Sequence, residues 1–148
     1  MTIAPLDSVE PIGGGRLTAA QSLRRWGNWI NLSTPLGLLV VKLGAGRARR
    51  GPRGLYLADG YRLGFPVASA FTIGNVVITS RRWSELFAGR PNLLRHEERH
   101  SWQYLICGGL PLFPLYGLAM LWSYASTRTL ARGNVFERAA GLADGGYL

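Results

Sequence analysis

Lysine is nearly missing from this chain, with Lys42 alone among 17 basic residues; the rest are arginines. Cysteine is just as scarce, and a lone Cys107 excludes an internal disulfide and any framework held by one. Acidic residues number 8, which leaves a net charge of +9. Histidine occurs twice, at His96 and His100. Repeats and low-complexity tracts are absent. The first residues, Met1 to Pro11, lack a basic start followed by an apolar run, so no signal peptide is expected and a cytoplasm-facing location is the default. Nor is there an unbroken apolar stretch of spanning length. Residues 101–127 carry no charge, but Gly108-Gly109, Pro111 and Pro114 interrupt them. The part after Pro114 makes about 20 Å of helix, short of the roughly 30 Å of a bilayer's hydrocarbon.

At 148 residues the chain is long enough for one core. Residues 1–15, ending in Gly13-Gly14-Gly15, read as a flexible lead-in, and 16–148 as a single domain. Leu17 to Asn31 is expected to be a short helix capped by Thr18, with Leu23, Trp26 and Ile30 at helical spacing. The basic stretch 47–53 reads as a linker. The middle of the chain is strand-like: residues 54–58 and 61–63 fit a hairpin turning at Asp59-Gly60. A β-branched run over 70–79 contains Gly74-Asn75 as a turn or bulge. Helices follow, one between Pro91-Asn92 and Gly108-Gly109, an apolar one from Pro114 to about Ser126, and one from Asn134, a helix-capping residue type. The fold class expected is α+β, a short sheet followed by three helices.

The arginines cluster at 24–25, at 47, 49, 50 and 53, and at 81–82. No basic–aromatic pattern of a nucleic-acid module accompanies them, which argues against nucleic acid as a partner. Arginines also follow both charge-free runs. That fits a surface-seated or re-entrant protein on anionic lipid and equally a buried core helix with solvated basic loops.

The most specific pattern is His96-Glu97-Glu98-Arg99-His100. Side chains four apart share a helix face, so two imidazoles can converge on one cation, with Glu97 beside the metal as general base. In a chain this long such a match arises by chance about once in 200. A catalytic zinc needs a third protein ligand. With no further histidine, that ligand is a carboxylate or Cys107, and Glu137 on a downstream helix is the best candidate. Glu98 points away from Glu97, to solvent or an arginine. Cys107 reads as a buried thiol, and Trp102, Phe113, Tyr116, Trp122 and Tyr124 as core or an interfacial belt.

His96-Glu97-x-x-His100 followed by Glu137 resembles the gluzincin metallopeptidases. The extended form, with Gln103 and then Asn134-x-x-Glu137-x-x-Ala140, is similar to small bacterial gluzincin-like proteins. The resemblance covers about residues 70–144. It implies a zincin-like domain with His96, His100 and Glu137 as zinc ligands. A zinc-activated water would attack a carbonyl of a peptide or protein substrate, with Glu97 as base. The strand 71–79 would be the edge that pairs with an extended peptide. Gln103, Tyr104, Asn134 and Asp144 are expected around the metal. Asp144 would stand in for the aspartate that membrane gluzincins place at the position of Gly141, and Tyr104 or Tyr147 would stabilise an oxyanion. A metal-binding or membrane-surface scaffold that keeps the same geometry without turnover is the alternative.

Overall fold

The computed structural model describes residues 16–66 and 68–148; the lead-in expected over 1–15 lies outside the described residues. The class is α+β, with six α-helices and a four-stranded mixed sheet among the described residues.

Helix α1 spans Ala19–Ile30. Thr18 starts it through a capping box: its hydroxyl accepts from the Gln21 amide, and the Gln21 side chain accepts from the Thr18 amide. The helix is inside out relative to its pattern. Arg24 and Asn28 are fully buried, whereas Leu23, Trp26 and Ile30 are 62–80 % exposed. After Leu32 in a left-handed turn comes α2, Ser33–Leu43.

The hairpin expected around Asp59-Gly60 does not form. Strand β2, Tyr56–Asp59, pairs instead with β1, Arg47–Arg50, in the stretch that reads as a linker. Two contacts account for this. Arg49 reaches Asp59 at 2.9 Å across the β1–β2 pair, and the other side of β2 is occupied by β4, Val76–Ile78, in parallel register. Residues 61–63 then have no strand to join, and Tyr61 enters the core.

Strand β3, Phe71–Ile73, returns antiparallel to β4, giving the order β1-β2-β4-β3. The turn between them is Gly74-Asn75. Gly74 has φ of 63°, and a Cβ there would lie 2.4 Å from the Thr34 amide of α2, so this close approach requires glycine. The sheet separates two clusters, as strand alternation dictates. Val76 and Ile78 face one with Val41, Tyr61 and Tyr104, and Val77 faces the other with Leu55, Trp83 and Leu93. Burying each such strand side chain contributes roughly 1.5–3 kcal/mol.

Helix α3, Trp83–Gly89, is fixed by the Trp83 indole donating to the Ala58 carbonyl at 3.1 Å. Helix α4, Leu93–Ile106, follows Asn92 and packs against β3, α1 and a short helix near the C-terminus. Helix α5, Leu112–Thr127, begins just before Pro114, which sits in the first turn where its missing N–H costs nothing. Helix α6, Val135–Ala140, has Asn134 as cap, accepting from the Phe136 amide at 3.0 Å. Among the described residues no helix is long and apolar enough to cross a membrane.

Candidate metal centre

Helix α4 presents His96, Glu97, His100, Ser101 and Tyr104 inward, while α6 delivers Glu137 from the opposite side. The three expected ligands come together. His96 Nε2 lies 3.1 Å and His100 Nε2 3.5 Å from Glu137 Oε2, and the two Nε2 atoms are 3.1 Å apart. All three residues are buried, and their ligating atoms lie within 4.8 Å of one another. The rings cross at 83°, so both lone pairs aim inward without the rings stacking.

The tautomers follow from the partners. His96 Nδ1 donates to the Gly141 carbonyl at 2.9 Å, and His100 Nδ1 donates to Gln103 Oε1 at 2.8 Å. The Gln103 amide is oriented in turn by donating to the Phe136 carbonyl at 2.9 Å. Each neutral imidazole therefore carries its hydrogen on Nδ1 and turns a bare Nε2 towards Glu137. Glu137 Oε2 itself has no hydrogen-bond partner although buried. Two nitrogen lone pairs and a carboxylate oxygen converging without a proton among them repel one another. A divalent cation resolves that, and the donor set of two imidazoles and a carboxylate suits zinc.

A proton is the other way to relieve the repulsion when no ion is bound. Burial alone would push Glu137 up, but a hydrogen bond from whichever imidazole, His100 or His96, is then protonated, together with the one from Tyr116, holds it well below the usual carboxylate range. Burial would likewise lower His100; its hydrogen bond to Glu137 and the charges of Glu97 and Glu137 outweigh that and raise it. Burial and Glu137 together raise Tyr116, whose hydroxyl donates to Glu137 Oε1. Tyr147 is pushed up to about 12 by burial and the nearby carboxylates.

Glu97 is buried beside the ligands, its carboxylate accepting from the Thr72 hydroxyl of β3 at 2.7 Å. Glu98 points the other way and pairs with Arg24 at 2.7 Å and Arg53 at 3.1 Å. Asp144 does not orient His96. It pairs with Arg95 at 3.2 Å and Arg99 at 3.3 Å, because the backbone of Gly141 already occupies Nδ1. Gly141, at φ of 97°, leaves room that a Cβ would close, 2.7 Å from an Arg99 nitrogen. Asn134 serves as cap, and its buried Nδ2 has no partner. Tyr104 is buried, edge-on to Phe113, and Tyr147 has its ring 6.0 Å from that of His96. Cys107 packs against the core cluster and stays out of the ligand group.

Tyr116, Thr72 and the Gly141 carbonyl were not anticipated from the sequence. Tyr116 shares a helix face with the buried Leu112 and Ser123, a spacing that points it inward once the bounds of α5 are known. A backbone carbonyl has no residue type to betray it. An open cleft lined by Arg49, Arg81, Arg82 and Arg95 contains none of the site residues. Searches of protein-family models, curated proteins and solved structures find no match.

Proposed function

We propose that this is a zincin-like domain of gluzincin type, a zinc-dependent metallopeptidase acting on a peptide or protein. The observation that carries the reading is the pair of imidazoles, both fixed through Nδ1 and both turning Nε2 to one buried, otherwise unpartnered carboxylate oxygen. His96, His100 and Glu137 would hold the ion. Zinc supplies Lewis acidity there, lowering the pKa of water and polarising a carbonyl.

The chain's own groups do the rest. Glu97, held by Thr72, accepts the proton from water as oxygen bonds to the scissile carbonyl carbon, then delivers it to the departing amine nitrogen as the C–N bond breaks. Tyr147, kept protonated by its raised pKa, is a hydrogen-bond donor at the edge of the site for the developing oxyanion. β3, at the sheet edge and carrying Thr72, is the strand against which an extended substrate would lie.

A second reading is a metal-holding scaffold without turnover. It is favoured by Gly145, whose backbone sits so close to His96 that a Cβ would lie 2.5 Å from the ring. Metal analysis and peptide-library cleavage separate the two. The peptidase reading expects about one zinc per chain and chelator-sensitive cleavage that Glu97→Gln abolishes while retaining zinc. Zinc without cleavage supports the scaffold, and zinc retained in both His96→Ala and Glu137→Ala ends the ligand assignment.

A further inference from the structure

Helix α1 buries its polar side and exposes its apolar one, and α5 goes further. Its residues are apolar almost all round, yet Leu118, Leu121 and Trp122 stand 64–70 % exposed. A helix apolar on every side belongs in a core or in lipid, and of α5 only Leu112 and Ser123 are buried. The end of α1 meets the end of α4 and the turn that leads into α5: the Asn31 side chain donates to the Tyr104 carbonyl at 3.3 Å, and Gly109 lies against the Asn31 carbonyl. Exposed Ile30 flanks that contact from α1, and exposed Ile106 at the end of α4 and Leu110 in the following turn flank it from the other side.

The charge around this surface has one sign. No acidic residue lies on α1, α2 or α5. The acids elsewhere are consumed: Glu97 and Glu137 inside the centre, Glu98, Asp59 and Asp144 by arginines. Among the described residues that leaves Glu85 on α3. The cations beside the apolar faces are Arg25, stacked over Trp26 at 5.9 Å, Lys42 in the last turn of α2, and Arg128 and Arg132 just after α5.

We infer that the protein docks on an anionic lipid bilayer, with α1 and α5 lying in the headgroup layer and the flanking arginines on lipid phosphates. Apolar side chains rimmed by snorkelling arginines suit that boundary. α5 makes about 24 Å of helix, too short to cross about 30 Å of hydrocarbon, so it lies in the surface. A second copy fits poorly, because pairing two such faces would bring like charges together. The inner face of α5 carries Tyr116, which holds Glu137. Docking therefore sets the metal centre about one helix diameter, roughly 10 Å, from lipid. The inference does not depend on turnover at that centre.

Flotation of the whole chain with phosphatidylcholine vesicles, with and without phosphatidylglycerol, tests it. Partitioning is expected to rise at least tenfold with the anionic lipid and to fall with salt. Leu118→Glu/Trp122→Glu is expected to reduce it more than tenfold, with far-UV dichroism and zinc content unchanged. Quenching of wild-type tryptophan fluorescence by brominated lipid needs no variant and is expected with anionic vesicles. Wild type remaining unbound at every composition would overturn the inference. So would partitioning unchanged by the double substitution, or a solution dimer that the same substitution dissociates.

Discussion

Helix α4 carries two buried polar groups on different sides, and they are built on opposite terms. On one side Asn28, Asn75 and Ser101 interlock: the Asn28 amide donates to Asn75 Oδ1 at 3.1 Å and to the Ser101 carbonyl at 2.9 Å, and Asn75 donates to the Arg25 carbonyl at 2.9 Å. Donors meet acceptors, and the network ties α1 and the β3–β4 turn to α4. On the other side His96, His100 and Glu137 confront one another with acceptors only. Burial of polar groups is common to both. Imbalance distinguishes the second, and an imbalance the protein has gone to some length to enforce, through Gly141 and Gln103, marks a place meant for something else.

The comparison breaks hardest at the ligands. Apparent zinc-binding free energies of roughly 10–16 kcal/mol at structural sites with four ligands give about 2.5–4 kcal/mol per ligand, or about 10²–10³-fold in affinity. His96→Ala or Glu137→Ala should lose that much in a competitive chelator titration. Glu137→Gln should do so too, while stabilising the metal-free protein by about 1 kcal/mol in urea at a pH where both imidazoles are neutral, because an amide can donate where the carboxylate could not. Stability lost by the metal-free form of this variant would mean that the three groups are content without an ion.

Breaking the buried ion pair that joins α1 to α4 has the reverse profile. Arg24→Ala leaves Glu98 with Arg53 alone in a largely buried position and should cost about 3 kcal/mol in the same unfolding experiment. The folded fraction should keep its zinc. Gln103→Ala frees the ring of His100 and should weaken zinc about 10–100-fold with little change in stability.

pH sharpens the contrast further. The raised His100 stabilises the metal-free fold fully below the unfolded value of about 6.5, and that contribution is lost as pH rises through the folded value. Zinc requires the free imidazole and gains over the same interval. The melting temperatures of chelated and zinc-loaded protein should therefore separate as pH rises, and a constant gap would remove His100 from the ligand set.

How much of this was legible beforehand follows from the range of the interactions. His96 and His100 are a local pattern on one helix, and Glu137 followed because so few acids were available. Thr18 and Asn134 also act locally, as caps. The inversion of α1 was not legible, since Leu23, Trp26 and Ile30 look like any core stripe. What turns the helix is Arg24 meeting Glu98, 74 positions away, and Asn28 meeting Asn75, 47 away. β1 escaped for another reason. An edge strand of sequence Arg-Ala-Arg-Arg with every residue exposed has no alternation to read, and lysine or arginine at an edge is how sheets avoid further pairing.

The smallest effect expected concerns Thr72, which touches no ligand. Its hydroxyl donates to Glu97 Oε2 at 2.7 Å from the neighbouring strand, so it fixes where the proposed base can reach. Thr72→Val keeps the shape and removes the donor, leaving a buried carboxylate one hydrogen bond short, a loss of about 1.5–2 kcal/mol. As a positioning residue it should lower kcat about tenfold at unchanged KM and unchanged zinc content, and Thr72→Ser should restore most of the rate. If stability falls by that amount while kcat holds, Thr72 merely anchors β3 to α4, and Glu97 is positioned by its own helix.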